Sequence, residues 1–332
     1  MSERLRYGVV GCGHLGSFHA EKAAQLDDLE LVGVYDILPA RSAAVAERCG
    51  SPACNSIAEL LERADALSIV VPTEEHYNEA KRALEAGKHL LLEKPIATTV
   101  AEAEQITSLA EKQGVVLQVG HIERFNPACA GLKLLPDKPR FIEGHRLSQF
   151  NPRGLDVAVI FDLMIHDIDL VLSLVQSEIA ELHASAVAVI SDKPDIANAR
   201  LEFQNGSVAN LTASRISVQK MRKLRLFARD NYISIDFLKR TGEHFRLAAT
   251  GDHSTPQGYL NLAEYEPTKR RILVAQHSYP EVDMLTEEIK SFAAAVRGER
   301  PPAVSGGDAT KALAIATEID RVAREGLARV LH

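Results

Sequence analysis

Three glycines with fixed spacing follow a short apolar strand near the beginning of the chain. Gly11-Cys12-Gly13-His14-Leu15-Gly16 comes after the predicted strand Tyr7–Val10 and opens a predicted helix over Leu15–Leu26. In such a turn the first glycine permits a tight bend, the second lets a pyrophosphate approach the backbone, and the third lets helix and strand pack closely. The helix N-terminus favours the negative charge of that pyrophosphate. The turn predicts a dinucleotide site at Gly11, Gly13, His14, Leu15 and Gly16.

The next apolar strand ends in an acidic residue at the position such a site requires. The strand Leu29–Tyr35 is followed by Asp36, 20 residues after Gly16. An acidic side chain at this spacing accepts hydrogen bonds from the ribose of the cofactor. A carboxylate repels a 2′-phosphate, whereas a 2′-hydroxyl can donate to it. The alternative, a glycine-rich turn with an unrelated aspartate, fits the spacing less well, and we expect NAD as the cofactor.

Strand-length apolar runs alternate with helical spacing throughout the first 120 residues. Most of the strands are apolar on both faces, as is usual where helices cover both sides of a parallel sheet. The alternation predicts an α/β domain over residues 1–120, an N-terminal Rossmann domain with a doubly wound parallel sheet. The further strands are Leu67–Val71, His89–Leu92 and Val115–Val119, and the further helices are Pro39–Cys49, Ile57–Arg63, Glu75–Ala86 and Val100–Gln113.

The pattern changes after Gly120, where strands follow one another with few helices between them. Asn205-Gly206 is a hairpin turn signal between two of these strands. We expect residues 121–332 to form a C-terminal α+β domain with a large, mostly antiparallel open sheet, which binds substrate and forms oligomers. The expected strands are Gly144–Phe150, Leu182–Ile190, Ala197–Phe203, Ser207–Ile216, Lys223–Phe227, Tyr232–Phe237 and Arg271–Val274.

Helices and one long loop complete the second domain. A strong helix is predicted from Val157 to about Val175, and two amphipathic helices, Glu281–Arg297 and Asp308–Leu327, close the chain. We allow for the helix over residues 308–327 packing back on the Rossmann domain. The segment Thr250–Pro267 is polar and contains glycines, and we expect it to be the most mobile loop.

Composition excludes several classes of protein. Lys and Arg number 38 against 45 Asp and Glu, giving a net charge of −7 and a pI near 6.0, so nucleic acid is not an expected partner. The four cysteines are too few and scattered for a disulfide framework or a paired-cysteine zinc site. The apolar runs fall well short of the ~20 residues needed to span a bilayer. We therefore expect a cytoplasmic protein that neither enters a membrane nor requires a metal.

A charged tripeptide stands where the predicted sheet binds ligands. Glu93-Lys94-Pro95 directly follows the strand His89–Leu92. Ligands of open α/β sheets bind at the carboxyl ends of the strands, so Lys94 is expected to face the nicotinamide end of the cofactor. The alternative is an ordinary surface lysine in a loop, which is where most lysines lie.

The predicted helix of the second domain carries a second group of ionisable residues. Asp162 and His166 are four residues apart and share a helix face, and Asp169 lies three residues beyond His166. A carboxylate beside an imidazole is suited to general-base chemistry near neutral pH. The alternative is a surface ion pair on a helix, with Asp167 and Asp169 solvated.

Taken together, these motifs resemble the glucose–fructose oxidoreductase/inositol dehydrogenase/rhizopine-catabolism (Gfo/Idh/MocA) family. The resemblance spans nearly the whole chain and extends to Pro72-Thr73-Glu74-Glu75-His76 and to Pro301-Pro302-Ala303-Val304-Ser305. It implies catalytic roles for Lys94, Asp162 and His166. It also implies that the cofactor is bordered by Pro72, Thr73, His76, Glu93 and Lys94.

Two departures from the common family pattern indicate a branch. The segments Gly120–Pro127 and Leu155–Ile160, read with Asp162–Asp169, resemble the branch that oxidises the 3-hydroxyl of UDP-N-acetylglucosamine. The resemblance implies an NAD-dependent sugar dehydrogenase in which His166 takes the hydroxyl proton, Lys94 stabilises the alkoxide and Asp162 orients His166. The alternatives are an inositol- or glucose-type polyol dehydrogenase and a non-catalytic NAD-binding sensor.

A local excess of positive charge precedes the predicted catalytic helix. Six Lys or Arg residues, against three acidic ones, lie between His121 and Arg153. Arginine forks bind phosphate oxygens well, so the excess favours a UDP-sugar over a simple polyol. The expected substrate-binding residues are His121, Arg124, Asn126, Arg153, Asp162 and His166.

The open sheet of the second domain predicts a homodimer or homotetramer, since a large exposed apolar face is unusual on a monomer.

Overall fold

Two units make up the chain in the computed structural model, which describes residues 4–151 and 157–330, the last four of these by backbone only. The first unit contains the chain up to Phe125 together with Asp283–Ala314. The second contains Asn126–Val282 and the chain from Ile315 onwards. The first boundary lies five residues beyond the predicted end of the Rossmann domain, but residues 283–314 join the first unit instead of the second.

The first unit is built on a parallel sheet of five strands in the order β2-β1-β3-β4-β5. The predicted doubly wound α/β architecture is confirmed. The strands are β1 (Leu5–Val10), β2 (Leu29–Tyr35), β3 (Ala66–Ile69), β4 (His89–Glu93) and β5 (Leu117–Gly120). The helices between them are α1 (His14–Ala24), α2 (Pro39–Cys49), α3 (Ile57–Arg63), α4 (Thr73–Glu85) and α5 (Val100–Gln113).

Local sequence signals explain where several of these helices begin and end. Ser56 caps α3 by accepting the Glu59 N–H, and Thr99 with Glu102 forms a reciprocal capping box at the start of α5. Helices α2 and α5 end at Gly50 and Gly114, which adopt the left-handed conformation that glycine favours. These signals lie within a few residues of each boundary, which is why the sequence predicts this unit well.

A helix from the end of the chain completes the core of the first unit. Helix α7 (Met284–Val296, numbered after α6, described below) buries Ile289 and Phe292 against the sheet, where the ring of Phe292 lies 6.2 Å from the ring of Tyr7. Just beyond it, the Val119 N–H of β5 donates to the Val304 carbonyl at 3.0 Å. Residues 283–314 therefore join the first unit because α7 buries its apolar face there.

The second unit is a nine-stranded mixed sheet in the order β13-β14-β12-β11-β10-β6-β9-β8-β7. All neighbours are antiparallel except β6 and β9, which are parallel, so the mostly antiparallel sheet is confirmed. The strands are β6 (Phe141–Leu147), β7 (Ile179–Val187), β8 (Ile196–Phe203), β9 (Val208–Ser214), β10 (Met221–Ala228), β11 (Asn231–Asp236), β12 (Thr241–Leu247), β13 (Leu260–Tyr265) and β14 (Arg270–Ser278).

Helical segments complete the described chain. The 3-10 helices Ile122–Phe125 and Pro127–Leu134 follow β5. The helix predicted from Val157 consists of a π-helical turn, Ile160–Met164, continued by α6 (Ile165–Val175). The last described element is α8 (Gly306–Val330), which has residues in both units. Among the described residues, no helix combines the length and apolar character needed to cross a bilayer.

Two strands were not predicted from the sequence. Strand β13 lies within the segment predicted as a mobile loop, and all six of its residues are exposed because it is the edge strand. Strand β12 contains Gly242 and the charged residues Glu243 and Arg246, which obscure its alternation. By contrast, the predicted hairpin at Asn205-Gly206 forms between β8 and β9, with Gly206 at a φ of +80°.

One face of this second sheet carries a row of aromatic rings. Phe141, Phe227, Tyr232 and Phe245 lie on neighbouring strands β6, β10, β11 and β12, with successive ring centroids 5.7, 4.7 and 5.5 Å apart. All four are only half-buried within the chain. The residues that alternate with them, such as Ile142, Leu226 and Ile233, are fully buried on the opposite face.

Candidate active site

The glycine turn has the geometry that its spacing predicts. Gly11 has a φ of +91°, and a Cβ on it would lie 2.2 Å from the Val70 carbonyl oxygen. A Cβ on Gly16 would lie 1.9 Å from the Gly11 carbonyl oxygen, so α1 packs against the turn only with glycine there. Gly13 differs, because no described atom lies within 4 Å of such a Cβ. That open space lets a pyrophosphate approach the backbone at the start of α1.

Asp36 is tied to the same turn through its carboxylate. One oxygen accepts the Cys12 N–H at 2.7 Å, and the other accepts the Leu38 N–H at 2.8 Å. The residue is only 8% exposed, yet an ionised carboxylate has about four acceptor sites, so each oxygen can also accept a ribose hydroxyl. The neighbouring Ile37 and Leu38 are exposed apolar side chains, which suit the flat face of a purine. These residues fit the dinucleotide they were predicted to bind.

The Glu93-Lys94-Pro95 segment lies at the carboxyl end of β4, as predicted. The Lys94 N–H donates to the Glu93 carboxylate at 3.3 Å, and the Lys94–Pro95 peptide bond is cis. The Glu93 carboxylate also lies 3.1 Å from Nε2 of His19, a fully buried histidine of α1. Gly120 leaves room for this carboxylate, because a Cβ there would lie 3.0 Å from Glu93 Oε1.

The charges around Glu93 hold it in the ionised form. Burial raises the pKa of Glu93, but the hydrogen bond and electrostatic effect of His19, with the charge of Lys94, outweigh burial and lower it. Glu288 of α7 is fully buried nearby, and no described residue hydrogen-bonds to its carboxyl. Burial, and then the charge of Glu93, raise the pKa of Glu288 well above its ordinary value. Glu288 is therefore the neutral acid of the two.

His76 is oriented by two loops at this edge of the sheet. Its Nδ1 lies 2.8 Å from the Pro95 carbonyl oxygen, and its Nε2 lies 3.0 Å from the Val71 carbonyl oxygen. The ring is fully buried and contacts both the loop that follows β3 and the loop that follows β4. The predicted neighbours Pro72 and Thr73 lie at the N-terminus of α4, where Pro72 is exposed and Thr73 is half-buried.

In the second unit, Asp162 lies in the π-helical turn and His166 in the first turn of α6, and both are half-buried. Asp167, next to His166, forms a buried bidentate pair with Arg146 of β6, with N–O distances of 3.0 and 2.7 Å. Asp169 is buried as well. The alternative in which Asp167 and Asp169 are solvated is therefore wrong, because Arg146 draws Asp167 against the sheet.

The segment before this helix is held by residues that the sequence analysis missed. The Val159 N–H and an Arg215 guanidinium N–H both donate to the Pro194 carbonyl at 3.0 Å. The adjacent Asp195 accepts the N–H groups of Val189, Ile190 and Ser191. Burial opposes the ionisation of Asp195, but these N–H groups lower its pKa to about 2. The contacts to Pro194 join residues distant in the chain, so no local sequence pattern marks them.

The predicted substrate residues have different surroundings. His121 is fully buried and Arg124 is half-buried. The Asn126 side chain is also buried, donating to the Phe237 carbonyl at 3.2 Å and accepting the Ala128 N–H at 3.1 Å, which makes it a structural cap. Arg153 lies outside the described residues. Arg146, counted in the local excess of charge, is neutralised by Asp167.

Both units of the chain match one family of known proteins. Residues 5–121 match the oxidoreductase family with an NAD-binding Rossmann fold, GFO/IDH/MocA, and residues 138–234 match the GFO/IDH/MocA C-terminal domain. The chain belongs to the GFO/IDH/MocA family. It is therefore an NAD-dependent oxidoreductase, which sets aside the alternative of a non-catalytic sensor.

Individual family members match over the full length of the chain. It is 38% identical to UDP-N-acetylglucosamine 3-dehydrogenase from Acidithiobacillus ferrooxidans, with 97% of both chains covered. The solved structure of that enzyme superposes with a TM-score of 0.86, covering 96% of this chain and 97% of the other. The chain is also 26% identical to myo-inositol 2-dehydrogenase from Thermotoga maritima, with 93% of both chains covered.

The carboxylate of Asp36 should decide which dinucleotide binds. We expect NAD(H) to bind more tightly than NADP(H), because the 2′-phosphate would meet the Asp36 charge. Asp36→Ala should weaken NAD binding about 10–100-fold, the usual effect of losing a hydrogen bond to a charged group. Isothermal titration calorimetry measures both, with the exposed Asp27→Ala as control. A preference of the wild-type protein for NADP would contradict this assignment.

Proposed function

We propose that this enzyme oxidises the 3-hydroxyl of UDP-N-acetylglucosamine, giving the 3-keto sugar nucleotide. The observation that carries the proposal is the 38% identity, over 97% of both chains, to an enzyme of that activity. The full-length myo-inositol 2-dehydrogenase is less similar, at 26%. The glycine turn and Asp36 support the use of NAD, and Lys94, Asp162 and His166 support acid–base chemistry on a hydroxyl.

The proposed chemistry requires a hydride acceptor, a base and a group that stabilises negative charge. Bound NAD supplies the hydride acceptor. His166 accepts the proton of the sugar hydroxyl as general base, a role suited to an imidazole near neutral pH. The Lys94 ammonium stabilises the negative charge that develops on the sugar oxygen. Asp162, in the preceding turn, orients His166.

The structure of α6 supports a fixed position for His166. The buried pair of Arg146 and Asp167 ties the residue next to His166 to strand β6. Two parallel N–H···O bonds between a guanidinium and a carboxylate hold both groups in a defined geometry. A base held in this way loses little conformational freedom when it meets its substrate.

The proposed diphosphate contact is Arg124. This residue is half-buried, and its planar guanidinium suits two phosphate oxygens. Arg153 stays a prediction of the same kind. Arg146 is left out because Asp167 neutralises it, whereas Asn126, whose amide also contacts Phe237 and Ala128, stays a prediction. His121, which lies near Arg124 in the sequence, is retained as a predicted neutral hydrogen-bond donor to the substrate.

A second candidate function is an inositol- or glucose-type polyol dehydrogenase. The full-length similarity to myo-inositol 2-dehydrogenase from Thermotoga maritima favours this alternative. Such a substrate has the same secondary hydroxyl but no diphosphate, so it requires the same acid–base residues and no arginine contact. The two functions therefore differ in their dependence on Arg124.

We also propose a homodimer or homotetramer in the cytoplasm. The support for an oligomer is the row formed by Phe141, Phe227, Tyr232 and Phe245, which is half-buried within one chain. A second copy that covered this face would remove these rings from water. The cytoplasm is where NAD and sugar nucleotides are available to an enzyme whose four cysteines are free thiols.

His166→Ala and Lys94→Ala should each lower kcat by about two to four powers of ten, as loss of an acid–base or oxyanion-stabilising group does. NAD affinity should change little in His166→Ala. Initial rates of NADH formation provide the measurement, and the exposed residues His183→Ala and Lys112→Ala are the controls. A nearly normal rate in either variant would remove that residue from the mechanism.

UDP-N-acetylglucosamine should be oxidised with a higher kcat/KM than free N-acetylglucosamine or myo-inositol. Arg124→Ala should lower kcat/KM for the sugar nucleotide about 10–100-fold, since a bond to a charged group is lost, and leave the free sugars unaffected. The surface residue Arg82→Ala is the matched control. Equal efficiency with myo-inositol, unchanged by Arg124→Ala, would favour the polyol dehydrogenase.

Sedimentation equilibrium at micromolar concentration should give the mass of two or four chains. Phe227→Asp, within the aromatic row, should shift the protein to monomers, because a charge cannot be buried there without a partner. Val218→Asp, at an exposed position of the same unit, is the control and should leave the mass unchanged. A wild-type monomer would refute the proposed assembly.

A further inference from the structure

A buried histidine contacts the residue before Lys94. His19 of α1 is fully buried, with Nε2 at 3.1 Å from a Glu93 carboxylate oxygen and Nδ1 at 2.9 Å from the Ser68 hydroxyl. The Ser68 hydroxyl in turn contacts the hydroxyl of Tyr7, and both residues are fully buried. The four side chains form one continuous polar chain through the core of the first unit.

Hydrogen bonds link each of these side chains to the next. Nε2–H of His19 donates to the Glu93 carboxylate, which can only accept, whereas either partner can donate between Tyr7 and Ser68 and between Ser68 and Nδ1 of His19. Burial raises the pKa of Tyr7, so its hydroxyl keeps its proton. Buried networks with every member satisfied are rigid and specify one geometry. The position of Glu93 is therefore fixed from the interior of the protein.

A second buried histidine contacts the residue after Lys94. His76 of α4 places Nδ1 at 2.8 Å from the Pro95 carbonyl oxygen and Nε2 at 3.0 Å from the Val71 carbonyl oxygen. Burial lowers the pKa of His76, which favours the neutral ring. A neutral imidazole has one N–H and so donates to one of these two carbonyls, and the contact that reaches the Lys94 segment is the one from Nδ1 to Pro95. Pro95 is thus held from a different helix than Glu93.

We propose that His19 and His76 are positioning residues for Lys94, holding its two neighbours in the chain so that the ammonium meets the reacting oxygen. The inference rests on the proposed role of Lys94 in sugar oxidation. A lysine side chain has a flexible four-carbon stem, so the start of that stem must be fixed by the backbone. A misplacement of 1 Å at a reacting group costs about 100-fold in rate.

The two histidines differ in which ring nitrogen holds the Lys94 segment, and this difference provides the test. Glutamine places an amide nitrogen near the position of Nε2, and asparagine places one near Nδ1. His19 contacts Glu93 through Nε2, so His19→Gln should preserve the contact and His19→Asn should lose it. His76 contacts Pro95 through Nδ1, so His76→Asn should preserve the contact and His76→Gln should lose it.

The expected result is a crossed pattern in kcat. His19→Asn and His76→Gln should lower kcat by about 10–100-fold with KM within about threefold of wild type, as expected of a misplaced group. His19→Gln and His76→Asn should stay within about fivefold of wild-type kcat. His89, half-buried at the opposite end of β4, is the matched control. Its Nδ1 accepts the Val116 N–H there, away from Lys94, so neither its Asn nor its Gln variant should lower kcat.

Amide hydrogen exchange provides a readout that does not depend on substrate. The Lys94 N–H donates to the Glu93 carboxylate, so loss of either histidine contact should accelerate exchange in a peptide covering Glu93–Ala97. An acceleration of about tenfold is expected in His19→Asn and His76→Gln, with α8 peptides unchanged. Ser68→Ala interrupts the polar chain behind His19 and should accelerate amide exchange in the same peptide. This variant keeps the test available if a histidine variant does not fold.

The outcomes separate this inference from the proposed function. If wild type oxidises none of the sugars tested, the proposed function fails, while the exchange pattern still decides whether the histidines hold the Lys94 segment. The inference is overturned if Asn and Gln act alike at each histidine, if only KM changes, or if exchange accelerates throughout the first unit. The crossed pattern in both kcat and exchange supports it.

Discussion

The contact between Gly16 and the Gly11 carbonyl fixes where α1 begins, and much of the site follows from it. A Cβ on Gly16 would lie 1.9 Å from that oxygen, so the helix packs at this distance only with glycine. His19 lies one turn further along the same helix, and the position of α1 therefore sets the position of its ring against Glu93. Gly16, which shapes the cofactor turn, and His19, which contacts Glu93, thus belong to one helix.

The electrostatics of this region depend on two carboxyl groups with different protonation. Glu93 is ionised because His19 and Lys94 favour its charge. Glu288 is neutral because it is buried beside that charge, with no described group bonding to its carboxyl. Two ionised carboxylates at this depth would repel each other strongly. The neutral state of Glu288 leaves Glu93 without a second negative charge beside it.

Features with local causes could be predicted from the sequence. The glycine turn, Asp36 at its strand end and Lys94 after β4 depend on neighbouring residues, and each lies where it was expected. The predicted parallel sheet and the Asn205-Gly206 hairpin have similarly short-range signals. Asp162 and His166 lie in the predicted helical segment of the second unit, and their acid–base role stays a prediction that the family resemblance implies.

Features that depend on distant residues could not be predicted. Strand β13 has no buried face, so its pairing with β14 leaves no alternation to detect. The pairing of Arg146 with Asp167 and the inward contacts of Asn126 appear only when strand, helix and loop are assembled. Helix α7 is amphipathic in any location, and only the fold shows that its apolar face covers Tyr7 in the first unit.

The placement of α7 also has a consequence for how the chain is made. At the usual elongation rate of about 5–20 residues per second, the ribosome takes roughly 8–30 s to synthesise Asn126–Val282, which separate the two parts of the first unit. During that interval the sheet surface around Tyr7 lacks Ile289 and Phe292 and presents apolar side chains to the cell. The nascent Rossmann unit must therefore stay protected from aggregation until the end of the chain emerges.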